Sequence, residues 1–301
     1  MTTAAQWVAG ARPRTLPAAV VPVLVGTAAA VGADGARGAP DGITAWRFGA
    51  AMVVALALQV ATNYANDHSD GKRGTDAPGT RVGPLRLVGS GTATAGAVKV
   101  AAIIAFAAAG VAGGALALAV GPELFAVGVV SIAAGWCYTG GPRPYGYAGL
   151  GEVFVFTFFG VVATVGSAYV QLERVNGLAL AASVPVGFLA TALLVVNNLR
   201  DIPGDTASAK RTLAVRLGDS RTRTLYVALM VGAFVAIPFV AGLGGRPGGA
   251  LALVALVVAR TPVLRVLQGA RGPDLIAVLG ATGRTQLAYG TLLAIGLALS
   301  A

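Results

Sequence analysis

Long apolar runs recur along almost the whole of this 301-residue sequence. A run of about 20 apolar residues is long enough to cross a hydrocarbon layer about 30 Å thick. Because backbone groups cannot face lipid unpaired, each such run is predicted to be a transmembrane helix. The runs predict an all-α integral membrane protein with nine spans, at residues 15–33, 48–65, 96–119, 124–138, 151–170, 178–197, 224–243, 249–267 and 283–300.

The polar connections between the predicted spans are short, and charged residues make up only 11% of the chain. The longest connections are residues 66–95 and 198–223, and neither is long enough for a separate soluble domain. We therefore expect a single transmembrane domain over residues 1–301, in which these two connections are the working loops.

Basic residues are distributed unevenly between the two sides of the predicted membrane domain. Lys and Arg near span ends are retained on the cytoplasmic side. With a cytoplasmic N-terminus, all but four of the 22 basic residues lie inside, the exceptions being Arg37, Arg47, Arg174 and Arg246. This predicts a multi-pass protein of the cell (cytoplasmic) membrane with both long loops in the cytoplasm. The net charge of +10 then reflects topology and attraction to membrane lipid, and no nucleic acid is expected as a partner.

Two acid-rich stretches interrupt the apolar pattern, at residues 63–76 and 197–205. They follow the second and sixth predicted spans, so both are expected on the cytoplasmic face. Asn66 and Asp70 have i,i+4 spacing, which puts them on one face if the helix continues. The second stretch repeats this spacing, but Pro203 predicts a broken helix or a tight turn there. Together they hold five of the twelve acidic residues, Asp67, Asp70, Asp76, Asp201 and Asp205.

Converging carboxylate and amide oxygens are typical of a site for a hard cation such as Mg²⁺. Magnesium usually keeps several waters and takes phosphate oxygens as further ligands. Basic residues beside the acidic ones would help to neutralise such a phosphate. The pattern therefore favours a metal site for a phosphorylated substrate, and the alternative is a solvated loop that only sets topology.

Two other classes of function, a transporter and a scaffold, fit the sequence less well than an enzyme. A transporter of an anionic metabolite would place its charges at broken helices near the membrane midplane, whereas these clusters are confined to loops. The predicted spans hold almost no charge, which argues against a proton relay or ion path. A non-catalytic scaffold would leave the matched carboxylates unexplained.

Four segments of the chain resemble the UbiA superfamily of intramembrane prenyltransferases. They are residues 12–17, the stretch 66–76 that begins Asn66-Asp67-His68-Ser69-Asp70, residues 138–152 and residues 197–218. The resemblance covers nearly the whole chain, and it implies nine helices in a bundle around a central apolar cavity. Within the superfamily, the segment Tyr138–Glu152 is most similar to enzymes that prenylate 1,4-dihydroxy-2-naphthoate in menaquinone biosynthesis.

The resemblance implies transfer of a polyprenyl group from a polyprenyl diphosphate to 1,4-dihydroxy-2-naphthoate, with loss of diphosphate and CO₂, to give demethylmenaquinone. Mg²⁺ and basic side chains would stabilise the departing diphosphate, and an apolar chamber would shield the allylic cation from water. Other superfamily members with a different aromatic acceptor remain the alternative.

The family's motifs also imply roles for individual residues. The metal-binding set would be Asn66, Asp70, Asp201 and Asp205. The catalytic set would be Asp67, Asp70, Tyr138, Asp201 and Asp205. The substrate-binding set would be Arg14, Lys72, Asp76, Arg81, Tyr138, Arg143, Glu152, Asn198, Lys210 and Arg211.

Several of these roles have alternatives. Asp67 and Asp76 either position water and basic side chains or only solvate the loop. The Tyr138 ring either faces the allylic cation or is an interfacial anchor. His68 is a candidate general base, in competition with the carboxylates. Glu152 either orients the acceptor or supports its loop.

Overall fold

The computed structural model of the protein describes residues 2–33, 43–74 and 86–301. Regular secondary structure in these ranges is entirely helical. Turns of 3₁₀ helix occupy Pro13–Thr15 and Pro247–Ala255, and a π-helical stretch occupies Phe156–Val162. The α-helices are α1 (Ala4–Gly10), α2 (Pro17–Ala30), α3 (Ala45–Lys72), α4 (Ala95–Val120), α5 (Glu123–Cys137), α6 (Gly151–Val155), α7 (Ala163–Leu172), α8 (Gly177–Ala207), α9 (Leu213–Val235), α10 (Ile237–Leu243), α11 (Leu256–Leu267) and α12 (Asp274–Leu299).

Helix α8 is the centre of the bundle. About 72% of its apolar segment is buried inside the protein, against 22–33% in the other long apolar helices. It packs against α9, α12 and α2, while α3 packs against α4. A side-chain cap begins the helix, since Asn176 accepts a hydrogen bond from the backbone N–H of Ala179. The outer helices turn their apolar side chains outward, as membrane-spanning helices do.

Within the described residues, six helices are long and apolar enough to cross a membrane, and a bent pair, Ala4–Thr15 with Pro17–Ala30, raises the number to seven if it is counted as one span. The predicted number of nine spans is therefore not confirmed. Helix α5 has only 15 residues, which is short for a membrane crossing. The C-terminal helix α12 is longer, but Arg284 and Gln286 lower its mean hydropathy.

A close approach of two glycines fixes the span Gly151–Leu172 against α8. A Cβ atom on Gly160 would lie 2.6 Å from the Cα of Gly187, so neither helix could carry a side chain at this crossing. Gly160 lies in the π-helical stretch, which adds a residue to the turn and redirects the side chains around it. Three phenylalanines of this span, Phe154, Phe158 and Phe159, line a cavity of the bundle.

The two ends of the bundle differ in their polar contacts. At one end, Arg47 forms an ion pair of 3.1 Å with Glu173, and Arg246 donates to the carbonyls of Val31 and Leu297. The acid-rich stretches lie at the other end, where α3 and α8 finish. The charged residues at the first end link neighbouring helix ends, whereas those at the second end line the cavity.

Candidate active site

A cavity of about 360 Å³ lies between α2, α3, α5, α8 and the span Gly151–Leu172. Most of its wall is apolar, and includes Leu58, Leu124, Phe158, Phe159 and Val162. Its polar end is formed where α3 and α8 finish, by Asn66, Asp70, Asp201, Asp205 and Lys210. The structure thus brings together the four predicted metal ligands and one predicted substrate-binding lysine.

Asp70 is held by two partners that are distant in sequence. Its Oδ2 atom accepts a hydrogen bond of 3.0 Å from the Nζ of Lys210, and its Oδ1 accepts one of 2.5 Å from the Tyr147 hydroxyl. Both charged side chains are buried, with 3% of Asp70 and 8% of Lys210 exposed. Because the pair is shielded from water, its attraction is stronger than that of a surface ion pair.

Tyr147 joins three parts of the polar end. Its ring lies under the Nζ of Lys210, 4.8 Å from the ring centroid, and the Arg73 guanidinium lies 5.2 Å from the same centroid. Its backbone carbonyl accepts a hydrogen bond of 3.1 Å from the N–H of Arg211. The connection between α5 and α6 is therefore tied both to the end of α3 and to the loop after α8.

Helix α8 does not break at Pro203, contrary to the expectation from the sequence. It runs through this residue to Ala207. A proline removes one backbone donor and crowds the preceding turn, but here the helix ends four residues later and few bonds depend on it. The continuing helix puts Asp201 and Asp205 one turn apart, and both line the cavity.

Asp201 is paired with its sequence neighbour. The Nε of Arg200 donates to its Oδ1 at 2.8 Å, and Nη2 donates to its Oδ2 at 2.7 Å. The guanidinium also bonds the Oδ1 of Asn197 at 2.9 Å, one turn earlier. Asp205 accepts a bond of 3.4 Å from the Thr212 hydroxyl. These short-range contacts help to hold the second acid-rich stretch.

No three Asp, Glu, His or Cys side chains within the described ranges lie close enough together to hold a metal ion by themselves. The available donors are carboxylate oxygens of Asp70, Asp201 and Asp205 and the amide oxygen of Asn66, which accepts 2.8 Å from the Thr139 hydroxyl. These are the hard oxygen ligands that Mg²⁺ prefers. The donor set fits a magnesium ion that takes its remaining ligands from water and a substrate.

Asp67 faces away from the polar end. Its Oδ2 accepts a bond of 2.8 Å from the N–H of Leu87, and its Oδ1 accepts one of 3.0 Å from the N–H of Val88. The residue is 1% exposed and is not among the described residues that line the cavity. These contacts favour a positioning role for Asp67 over the proton-accepting role predicted from the sequence.

His68 also lies outside the cavity wall formed by the described residues. Its Nδ1 lies 2.9 Å from the carbonyl oxygen of Ala95, and since a carbonyl only accepts, Nδ1 carries the hydrogen. The ring lies beside Trp136, with 6.5 Å between the centroids. The histidine therefore ties α3 to the start of α4, and neither of these contacts with described residues favours general-base catalysis.

The basic residues that line the cavity are mostly not the predicted ones. Lys210 does so, together with Arg12, Arg86 and Arg200. Asp76 and Arg81 lie outside the described residues. The remaining predicted basic residues are exposed and do not belong to the described lining of the cavity: Arg14, Lys72, Arg143 and Arg211.

Arg12 replaces Arg14 at the cavity because of the backbone before α2. Arg12 has a φ of 55°, in the left-handed region, and it precedes the 3₁₀ turn Pro13–Thr15. Its side chain lines the cavity, with Nη2 lying 3.5 Å from the carbonyl oxygen of Asn63. The family resemblance of segment 12–17 predicted an arginine here, but the spacing of residues does not show which of the two arginines faces the cavity.

Tyr138 lines the cavity as part of an aromatic wall. Its ring meets Tyr145 edge to face with centroids 5.4 Å apart, and Tyr145 stacks on Phe154 at 3.9 Å. The Tyr145 hydroxyl donates a bond of 2.9 Å to the carbonyl of Ala134. Burial raises the pKa of this Tyr145 hydroxyl above its ordinary value, so it remains a donor at neutral pH.

Asn198 and Glu152 form a buried pair behind this wall. The Nδ2 of Asn198 donates to Oε1 of Glu152 at 3.0 Å. Asn198 lines the cavity, whereas Glu152 is not among its described lining residues. The other carboxyl oxygen of Glu152 is buried and makes no hydrogen bond with a described residue. Glu152 therefore orients Asn198 and does not itself reach the cavity.

Comparison with known proteins places this chain in a family. The model of the UbiA prenyltransferase family matches residues 19–298. A 1,4-dihydroxy-2-naphthoate octaprenyltransferase of Mycobacterium tuberculosis is 48% identical over 298 residues, which cover 99% of this chain and 98% of the relative. The Escherichia coli protein of the same name is 38% identical over 238 residues, covering 77% of this chain and 74% of the relative.

The helical bundle is also found among solved structures. A UbiA homolog from Archaeoglobus fulgidus bound to DMAPP and Mg²⁺ has a TM-score of 0.57 and 15% identity, over 96% of this chain and 99% of that chain. At this low identity the likeness establishes a common fold. The match to the family model and the identity to the full-length relatives show that the protein belongs to the UbiA prenyltransferase family.

Proposed function

We propose that the protein transfers a polyprenyl group from a polyprenyl diphosphate to 1,4-dihydroxy-2-naphthoate, releasing diphosphate and CO₂. The product would be demethylmenaquinone in its quinol form. The observation that supports this most is one cavity with an apolar wall and a polar end built by Asp70, Lys210, Asp201 and Asp205. The choice of acceptor rests on the relatives, which carry the name 1,4-dihydroxy-2-naphthoate octaprenyltransferase.

The polar end would bind the diphosphate and assist its departure. The bond between the allylic carbon and the diphosphate oxygen breaks, and its electron pair leaves with the diphosphate. Lys210, Arg12 and Arg200 all line the cavity and supply positive charge to the departing oxygens. Lys210 contacts both Asp70 and the Tyr147 ring, so its ammonium group is oriented before the substrate arrives.

The carboxylates would hold Mg²⁺ together with the substrate. Asp70, Asp201, Asp205 and Asn66 supply suitable oxygens, and the family relative from Archaeoglobus fulgidus was solved with Mg²⁺. When bound, the ion would neutralise charge on the diphosphate. Asp70 would have to exchange its contact with Lys210 for this role, which would free the ammonium group for the diphosphate.

The apolar wall would protect the allylic cation until the acceptor attacks. Phe154, Phe158, Tyr138 and Tyr145 present aromatic rings there, whose faces stabilise positive charge. The ring carbon that bears the carboxylate forms the new bond to the prenyl group. Loss of CO₂ then returns an electron pair to the ring, so this route requires no general base, in keeping with the position of Asp67 outside the cavity.

We also infer the topology. The polar end lies where α3 and α8 finish, and the basic residues of the neighbouring connections favour the cytoplasmic side of the cell membrane. The whole chain 1–301 would be a single transmembrane domain. The water-soluble acceptor and the diphosphate head would then meet at the cytoplasmic face, with the prenyl tail in the apolar part.

A reconstitution assay tests the proposed reaction. The purified protein in lipid vesicles is supplied with Mg²⁺, a polyprenyl diphosphate and 1,4-dihydroxy-2-naphthoate, and prenylated product and CO₂ are both quantified. We expect them in equal amounts. Parallel reactions with 4-hydroxybenzoate test the acceptor, and turnover with that acid alone would show that the naphthoate assignment is wrong. A folded protein that yields neither product would contradict prenyl transfer itself.

A further inference from the structure

We propose that Asp67 is a positioning residue which holds Arg86 in the cavity, and that Arg86 contacts the diphosphate of the prenyl donor. The inference rests on the proposed function for the identity of the anion. It separates two acidic residues of one motif, because Asp70 lines the cavity and Asp67 does not belong to its described lining. Asp67 and Arg86 are connected through a short turn before α4.

The first step is the pair of hydrogen bonds between Asp67 and this turn. Each carboxyl oxygen of Asp67 accepts one backbone N–H, from Leu87 at 2.8 Å and from Val88 at 3.0 Å. We call these two bonds the clasp. Hydrogen bonds from backbone amides to a carboxylate are strong, and burial of Asp67 at 1% exposure shields them from water. The clasp fixes two successive peptide groups of the turn.

The turn also has hydrogen bonds and packing contacts of its own. The carbonyl of Arg86 accepts a bond of 3.0 Å from the N–H of Ser90, and that of Leu87 accepts one of 2.9 Å from Ala93. Leu87 is 3% exposed within a cluster that includes Tyr64 and Val98. These contacts hold the residues of the turn together, and the direction of the turn depends on how it is fastened to α3.

Packing against α3 confirms how close this fastening is. A Cβ atom on Gly71 would lie 2.4 Å from the Cγ1 of Val88, so the turn sits directly on the helix surface. Gly71 is one turn beyond Asp67 on α3. The clasp and this contact hold residues 87 and 88 at adjacent points of the helix.

Arg86 immediately precedes the fastened peptides, and it lines the same cavity as Asp70 and Lys210. Fixing the N–H groups of Leu87 and Val88 fixes the backbone from which the Arg86 side chain extends. A guanidinium beside the polar end matches the diphosphate in charge and in its capacity for two parallel hydrogen bonds. Asp67 therefore acts on the substrate through Arg86, without touching it.

Asp67→Asn is the variant that opens the clasp with little change in volume. The amide has one acceptor oxygen, and its NH₂ group would face a backbone N–H that also donates. We compare Asp67→Asn, Arg86→Gln and the double variant, with Lys99→Gln as the matched control. Lys99 is an exposed basic residue near the start of α4, outside the described cavity lining.

The kinetic readout is KM for the polyprenyl diphosphate, set against kcat. Arg86→Gln is expected to raise this KM roughly tenfold, the loss of one charged contact. Asp67→Asn should raise it by a similar or smaller factor, and the double variant should be no worse than Arg86→Gln. Lys99→Gln should match the wild type. Multiplied effects in the double variant, or a fall in kcat at unchanged KM for Asp67→Asn, would overturn the proposal.

Amide hydrogen exchange tests the clasp without catalysis. Asp67→Asn should accelerate exchange in peptides that contain Leu87 and Val88, whereas Arg86→Gln should leave it unchanged. Unaltered exchange in Asp67→Asn would show that the clasp does not hold the turn. Absence of turnover in the wild type would instead count against the proposed reaction, so the two failures are distinguishable.

Discussion

The ammonium group of Lys210 lies 3.0 Å from Oδ2 of Asp70, although 140 residues separate them in the chain. This contact connects the end of α3 with the loop after α8. It also places a cation beside the carboxylate that we assign to the metal. The two acid-rich stretches are therefore joined by a basic residue from the loop beyond the second one, and their carboxylates form no compact cluster of three within the described ranges.

Lys210→Met tests this ion pair. Removing the ammonium leaves Asp70 buried without this partner, which we expect to cost about 3 kcal/mol of stability. The loss of a cation at the departing diphosphate should lower kcat/KM by about 100-fold. Thermal unfolding in detergent and initial rates measure the two effects.

A second substitution separates stability from catalysis at this pair. Adding Asp70→Asn to Lys210→Met removes the carboxylate charge that has lost this contact, so part of the lost Tm should be recovered while turnover stays at least as low as in Lys210→Met. Lys99→Met is the control. Normal turnover by Lys210→Met would show that this lysine does not assist the reaction.

Tyr147→Phe tests the hydroxyl that bonds Asp70. The ring would still lie against Lys210 and Arg73, while the hydrogen bond of 2.5 Å to Asp70 is lost. A bond to a charged acceptor contributes about 1.5–3 kcal/mol. We expect a moderately lower Tm and a smaller loss of turnover than with Lys210→Met. A loss of activity larger than that of Lys210→Met would mean that the hydroxyl contacts substrate.

The Tyr145 hydroxyl predicts a dependence of stability on alkaline pH. Burial raises its pKa in the folded protein above the ordinary value of about 10, so the unfolded chain loses this proton first. Stability from this group is complete below about pH 10 and is lost as the pH rises toward the folded-state pKa. In Tyr145→Phe, the free energy of unfolding, measured by denaturation at a series of pH values, should fall less steeply above about pH 10 than in the wild type. An identical slope in the variant and the wild type would show that another group causes the loss of stability at alkaline pH.

Chelation tests the metal. Excess EDTA should abolish prenyl transfer, and added Mg²⁺ should restore it, since the diphosphate would otherwise leave without charge neutralisation. Asp201→Asn should shift the Mg²⁺ concentration for half-maximal activity upward, because one ligand is weakened. Full turnover in EDTA would show that the basic residues neutralise the diphosphate without a metal ion.

The sequence predicted the helical membrane architecture and the convergence of the acid-rich stretches. Helical spacing placed Asn66 and Asp70 on one face of α3, and both line the cavity. Span parity predicted that the second acid-rich stretch lies on the same side of the membrane, and Asp201 lines the same cavity as Asn66 and Asp70. Helix geometry is regular, so the relative placement of residues along one helix could be predicted from spacing.

The loops were less predictable. Arg12 faces the cavity in place of Arg14 through one left-handed residue, and Arg86 does so through the clasp of Asp67. Neither follows from spacing, because a side chain in a turn takes its direction from individual dihedral angles and distant hydrogen bonds. Tyr147 was contained in the segment 138–152, but its bond to Asp70 depends on the path of the whole connection.

The most direct test compares two aspartates in otherwise equivalent variants. Asp201 lines the cavity, whereas Asp219 pairs with Arg223 at 2.7 Å and does not belong to the described lining. Both are changed to Asn, and prenylated product and CO₂ are measured from 1,4-dihydroxy-2-naphthoate in vesicles, with Tm recorded for each. We predict that, at the Mg²⁺ concentration that just saturates the wild type, Asp201→Asn forms at least about 100-fold less of both products with its fold intact, and that Asp219→Asn forms them normally. Near-normal turnover by Asp201→Asn would contradict the assignment of the polar end as the active site.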